Sequence, residues 1–151
     1  MQDTEVATQE KPLVVITGAS GGVGTALTQS LKDDYLIIGL DRSSGEETHE
    51  SYEFDLTDVE SIREALDKIR ERHGRDIAAV VHLAAYFDFT GEESPLYEKV
   101  NEQGTRNLLD ALSDMNVGRF VYSSTMLVHE PQVPGHRVSE ETPIGPTWPY
   151  P

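Results

Sequence analysis

The sequence predicts an α/β fold, a doubly wound parallel sheet, on three observations. Short, wholly apolar runs alternate with segments of helical period, a glycine-rich turn directly follows the first run, and an acidic residue closes the second. Leu13-Val14-Val15-Ile16 is the pattern of a strand buried on both faces, and it runs into Thr17-Gly18. Residues 23–32 place Val23, Ala26, Leu27, Ser30 and Leu31 at helical spacing, and residues 35–40 form the second apolar run, ending at Asp41. Together they make a βαβ unit. Residues 51–54 read as a short third strand. Thr57-Asp58-Val59-Glu60 then has capping-box spacing and opens a helix carrying Val59, Ile62, Leu66 and Ile69, which Gly74 ends. Residues 77–83 are the next buried strand. Ser94 followed by Pro95 starts a long helix with Leu96, Val100, Gly104, Leu108, Ala111, Leu112 and Met115 on one stripe. That helix breaks at residues 116–118, ahead of an apolar strand at 119–122.

Three parts follow: a polar, disordered leader at 1–11, a folded domain at 12–125, and an irregular segment at 126–151 that holds Pro131, Pro134, Pro143, Pro146, Pro149 and Trp148. A compact domain rarely ends on so long an irregular stretch, so the expectation is a fold truncated before its C-terminal strands and substrate-binding region.

Composition removes several function classes. The 151 residues suit one domain, and 12 Lys+Arg against 27 Asp+Glu give a formal charge of -15. A phosphate-binding face for nucleic acid or an anionic membrane needs a concentration of cations that this chain lacks. With no cysteine there is no disulfide, thiolate chemistry or Cys-ligated zinc. The histidines show no tight ligand spacing, so no metal site is expected. No apolar run reaches the length of a membrane span and the N-terminus has no apolar signal core, which makes a soluble cytoplasmic protein the default expectation.

The chemistry-bearing signal is Thr17-Gly18-Ala19-Ser20-Gly21-Gly22-Val23-Gly24, set between a strand and a helix. Glycines let the backbone turn tightly and approach a pyrophosphate, whose charge is met by free N–H groups and the positive end of the helix dipole. This makes Gly18, Gly21, Gly22, Val23 and Gly24 candidate cofactor residues; the plainer alternative is a structural turn. Asp41, just after the second strand, can accept hydrogen bonds from adenosine ribose hydroxyls and repels a 2′-phosphate, so NAD is favoured over NADP. Arg42 next to it is the cation that could reverse the choice.

Here the sequence resembles the short-chain dehydrogenase/reductase superfamily, whose core is of Rossmann type. Gly18, Gly21 and Gly24 satisfy the T-G-x-x-G-x-x-G form of its extended branch, and Gly18, Gly22 and Gly24 the T-G-x-x-x-G-x-G form of its compact branch. His82-Leu83-Ala84-Ala85 matches the H-x-A-A of the extended branch, and residues 100–109 match its V-N-x-x-G-T-x-N-L-L helix. The chain is thereby similar to the N-terminal portion of the NAD-dependent epimerase/dehydratase family. The resemblance implies that Asp55 and Leu56 meet the adenine, that Leu83, Ala84 and Ala85 line the cofactor, and that Asn101 supports the site. A plainer role for Asn101 is to satisfy a neighbouring backbone group. His82, a lone histidine at a strand end, receives no catalytic role.

On the substrate side the resemblance implies Thr125 as the hydroxyl that orients the reacting group, with Ser124 the alternative, and Tyr150 as the acid/base of a Tyr-x-x-x-Lys pair. The lysine would come four residues after Tyr150, past Pro151, and Val128-His129-Glu130 departs from the family's V-Y-G. The implied function is hydride transfer between NAD and an alcohol or carbonyl of a small molecule, nucleotide sugars among them, by a protein able to pair as a homodimer. The 151-residue chain itself is expected to turn over little. The rival is a cofactor-binding sensor without catalysis.

Overall fold

The computed structural model describes residues 11–43 and 47–150, so all of the expected leader but Lys11 lies outside the described residues. The strands are β1 (Leu13–Thr17), β2 (Leu36–Asp41), β3 (Glu50–Glu53), β4 (Asp76–Ile77), β5 (Ala79–His82), β6 (Asn116–Val117) and β7 (Phe120–Tyr122). The helices are α1 (Gly22–Leu31), α2 (Val59–His73) and α3 (Thr105–Leu112), the last preceded by a π-helical stretch, Tyr97–Gly104. Five strands form one parallel sheet in the order β3-β2-β1-β5-β7. In its register Thr17 pairs with Leu40 on one side and His82 on the other, which brings the carboxyl ends of β1, β2 and β5 to one edge. The chain crosses from one side of β1 to the other at this edge, the place where open α/β sheets bind ligands.

Strand residues alternate between two apolar layers. Val14, Ile16, Ile37 and Val81 face Leu27 and Leu31 of α1. Val15, Ile38, Leu40 and Val80 pack with Ile62, Leu66 and Ile69 of α2 and with Leu108 and Leu112 of α3. The sheet is thus covered on both faces, as a doubly wound fold requires.

Four local expectations are corrected. The buried positions of α1 are Gly24 and Thr28, and Val23 is 70% exposed, because the helix starts by pressing Gly24 onto the glycine turn. Asp58, not Thr57, caps α2, accepting from the N–H groups of Glu60 and Ser61. The strand expected at 77–83 is divided at Ala78: Ile77 pairs with Val117 in a separate two-stranded ladder, so the break expected at 116–118 contains β6. Residues 126–150 are not wholly irregular. Met126–Val128 is a 3₁₀ turn, and an antiparallel bridge joins His129 to Ile144, with Glu130 N–H donating to Pro143 O and Gly145 N–H to Val128 O.

Candidate functional site

The glycine turn is shaped by sterics. Gly18 has φ +71°, and a Cβ there would lie 2.9 Å from the backbone nitrogen of Ala84, so the turn is pressed against the strand end that follows β5. A Cβ on Gly24 would meet the carbonyl oxygen of Gly18 and lie 2.7 Å from Ala19 Cα. A Cβ on Gly21 would come 3.3 Å from Gly18 O, whereas one on Gly22 meets nothing within 4 Å. Packing therefore demands glycine at Gly18 and Gly24, is tight at Gly21 and leaves Gly22 open, which favours the spacing Gly18, Gly21, Gly24. Thr25 N–H makes the first intrahelical bond, to Gly21 O, and no side chain caps α1. The N–H groups of Gly22, Val23 and Gly24 thus have no intrahelical partner, and the first turn carries no carboxylate to compete for the dipole. Such a cradle fits a dinucleotide pyrophosphate.

Gly18, Gly21, Asp41, Arg42, Asp55, Leu56, Leu83, Ala84 and Ala85 line one cleft of about 520 Å³; Gly22, Val23 and Gly24 do not line it. Asp41 Oδ2 accepts from the N–H and the hydroxyl of Ser20 at 3.0 and 2.6 Å, and Oδ1 accepts from Arg42 N–H at 2.8 Å. The glycine loop and the end of β2 therefore hold the carboxylate at the cleft. Asp55 accepts the N–H and hydroxyl of Thr57, both at 2.8 Å, and these bonds hold its pKa below the usual carboxylate value, with Arg42 adding to the effect.

Asn101 clamps the backbone of Tyr86: its Oδ1 accepts Tyr86 N–H at 2.7 Å and its Nδ2 donates to Tyr86 O at 2.9 Å. Both ends of its amide are engaged, so its influence on the cofactor cleft runs through the placement of residues 85–86. The π-helical stretch that carries Asn101 ends at Gly104, where a Cβ would lie 2.8 Å from Leu56 Cβ.

A second cavity of about 920 Å³ is lined by Ser124, Thr125, Tyr150, Tyr97, Asn101 and Ala85, among others. The Thr125 hydroxyl accepts Leu127 N–H at 3.2 Å, which leaves its own proton free to donate, and Ser124 faces the same space. Tyr150 packs its ring on Phe87, centroids 4.6 Å apart, and at 6.0 Å from Tyr97. Burial, then the neighbouring Tyr122 and Tyr97, push its phenol above the ordinary value. The aromatic group Tyr86, Phe87, Tyr97 and Tyr150 was not anticipated from sequence; the signal was Tyr86-Phe87-Asp88-Phe89 directly after Ala85.

His82 is 1% exposed and lies between the hydroxyls of Thr17 and Thr105, and burial lowers its pKa to about 4. The folded chain thus keeps this ring neutral where an unfolded one is protonated. Between pH 6.5 and about 4 the unfolded state binds more protons, so stability is lost as pH falls through that window and the loss levels off below it. The expected cost is about 3 kcal/mol. Urea melts taken from pH 7 to 4.5 check it; an equal slope in His82→Asn would refute the assignment to His82.

The model of the NAD dependent epimerase/dehydratase family matches residues 14–151. UDP-glucose 4-epimerase of Drosophila melanogaster is 34% identical over 89% of this chain and 43% of its own length. L-arabinose 1-dehydrogenase (NAD(P)(+)) of Haloferax volcanii is 32% identical over 78% of this chain and 42% of its own. Among solved structures, Thermus thermophilus UDP-glucose 4-epimerase in complex with NAD superposes with a TM-score of 0.79 and 26% identity, covering 91% of this chain and 46% of that one. The chain spans less than half the length of these relatives.

Proposed function

The chain belongs to the NAD dependent epimerase/dehydratase family, and on that premise we propose that it serves an NAD-dependent oxidoreductase, epimerase or dehydratase of the extended short-chain type. The observation that carries this reading is that Ala85 lines both cavities. The cleft beside the glycine turn therefore adjoins the cavity holding Thr125 and Tyr150, so a dinucleotide seated on the glycine turn would reach toward the hydroxyl pair. NAD, when bound, supplies a hydride acceptor there. The chain's own residues do the rest. The α1 N–H groups and Gly18 would hold the pyrophosphate and Asp41 the adenosine ribose, and Leu56 and Ala84 wall the cleft. Thr125 donates a hydrogen bond that orients the reacting oxygen, and Tyr150 exchanges a proton with it.

The substrate class we infer is a small alcohol or carbonyl compound, sugars and nucleotide sugars first, in keeping with what the relatives are named for. A cytoplasmic site of action and a homodimer belong to the same proposal. NAD is preferred because Asp41 opposes a 2′-phosphate. Parallel titrations of NAD and NADP test this: the unmodified chain is expected to bind NAD more tightly, and Asp41→Ala to shift the ratio toward NADP by about tenfold or more. Tighter NADP binding by the unmodified chain would mean that Arg42 prevails. The raised pKa of Tyr150 favours a second reading, a cofactor-binding module without turnover. Assay of the natural gene product with NAD and a panel of sugars separates the two, since sustained NADH formation, or conversion of a sugar to its epimer or dehydrated product without net NADH, excludes the second.

A further inference from the structure

His82 ends β5 with its ring between two hydroxyls, Nδ1 at 2.7 Å from Thr17 Oγ1 and Nε2 at 2.9 Å from Thr105 Oγ1. A neutral imidazole donates at one nitrogen and accepts at the other, so these distances alone permit two proton arrangements. Thr17 removes one of them. Its Oγ1 lies 3.2 Å from the backbone nitrogen of Leu83 and 3.2 Å from that of Ala84. A backbone N–H only donates, so the Thr17 hydroxyl oxygen accepts from Ala84 and shares the Leu83 N–H, which also donates to the Thr17 carbonyl at 3.1 Å, and its single proton goes to the ring. Nδ1 is then the acceptor, and Nε2 carries the proton and donates it to Thr105.

We propose that His82 is a positioning residue for the cofactor cleft, fixed as the neutral Nε2–H tautomer so that the Thr17 hydroxyl turns both lone pairs toward the Leu83 and Ala84 N–H groups. The ring joins three elements: the end of β1 through Thr17, the stretch after β5 through Leu83 and Ala84, and the start of α3 through Thr105. Each junction bears on the cleft. Ala84 is the surface against which Gly18 turns, with 2.9 Å between its nitrogen and a Cβ placed on Gly18. Thr105 follows Gly104, which lets the helix approach Leu56, the opposite wall. One buried imidazole therefore sets the spacing between both walls and the glycine turn.

Two aromatic rings of β7 lie beside the imidazole, Phe120 and Tyr122, at centroid distances of 6.0 and 5.8 Å. A second proton on the ring would point Nδ1–H at the Thr17 oxygen, which already meets two N–H donors, and the hydroxyl would have to turn its own proton elsewhere.

The effect on NAD rests on the cofactor reading above; the tautomer and the backbone clamp do not. The first test needs no variant. Long-range ¹H–¹⁵N spectra of the ¹⁵N-labelled chain at pH 7 are expected to show His82 solely as the Nε2–H form, and an Nδ1–H form, a mixture or an imidazolium would overturn the proposal. In Thr105→Val the Nε2–H form is expected to persist, because Thr17 dictates it; a switch to Nδ1–H there would also overturn the assignment. For the clamp, amide exchange at Leu83 and Ala84 is compared among His82, His82→Asn, whose side-chain oxygen can still accept from Thr17, and His82→Leu. Exchange at Ala84 is expected to quicken about tenfold or more in His82→Leu and to recover most of the way in His82→Asn, with less change at Leu83, whose N–H keeps its bond to the Thr17 carbonyl, and none at Ile38. Equal behaviour of the two variants, or no change in either, contradicts a positioning role. NAD affinity is expected to follow the same order, about tenfold weaker for His82→Leu and within about threefold for His82→Asn. An unmodified chain that takes up no NAD would defeat the cofactor reading alone, and the spectra and exchange rates would still decide the role of His82.

Discussion

Gly24→Ala is expected to destabilise the chain by about 2–3 kcal/mol and to weaken NAD binding at least tenfold, the largest loss for any one-carbon change at the site. The new Cβ would meet Gly18 O and lie 2.7 Å from Ala19 Cα and 2.7 Å from Ala19 O, all of them backbone. No rotamer change relieves such contacts. Either α1 slides off the glycine turn, which displaces the N–H groups expected to receive the pyrophosphate, or the turn opens, which moves Gly18 from its place against Ala84. Both routes disturb binding and packing together. Gly22→Ala is the matched control, because a Cβ there meets nothing within 4 Å. It should leave stability unchanged, and any loss of NAD affinity it causes comes from crowding the ligand alone. Urea melts and NAD titrations of the two variants check the pair. A Gly24→Ala chain as stable as the parent would refute the steric account of the turn, and so would an equal stability loss in both variants, because helix propensity favours alanine at each position.

The same contrast shows what sequence can and cannot reveal here. The two possible glycine spacings are indistinguishable on paper, and distances to Gly18 O separate them. Strand positions were legible because wholly apolar runs such as residues 13–16 have few alternatives to burial in a parallel sheet. The inward face of α1 is legible in part: Leu27 and Leu31 pack toward the sheet as their spacing predicts, whereas Val23 does not. Periodicity weights Val23 by hydrophobicity, while close helix–turn packing selects Gly24 and Thr28 by size. The pairing of Asp76 and Ile77 with β6 depends on contacts across the sheet that local pattern does not encode. The lining of the cleft follows the sequence in part: Gly18, Gly21, Asp41 and the strand ends line it because they are tied to one strand–helix–strand unit, whereas Gly22, Val23 and Gly24 do not. Two features were not legible. Ser20 holds Asp41 across the turn, and His82 joins Thr17 to Thr105 across 65 and 23 residues of chain; both are polar contacts set by tertiary register.

Turnover by the natural gene product is expected to fall about a thousandfold in Tyr150→Phe, with NAD affinity unchanged. The substitution keeps the ring, and with it the edge contact on Phe87 at 4.6 Å and the approach to Tyr97, so packing gives no reason for the cavity to rearrange. Only the hydroxyl is lost. Its raised pKa keeps it protonated at neutral pH in the described structure, so it is ready to donate to a carbonyl and poor at removing a proton from an alcohol. Alcohol oxidation therefore requires a nearby positive charge to bring the pKa down, the role that the family resemblance gives to a lysine four residues further on and to the oxidised nicotinamide. Two consequences can be measured. The oxidative rate of the parent should climb with pH until the phenol is ionised, whereas the reductive rate should fall over the same range; the residual activity of the variant should show neither trend. A variant that retains the parent's kcat and pH profile would remove Tyr150 from the mechanism, leaving the hydroxyls of Ser124 and Thr125 as the groups to examine in the same cavity.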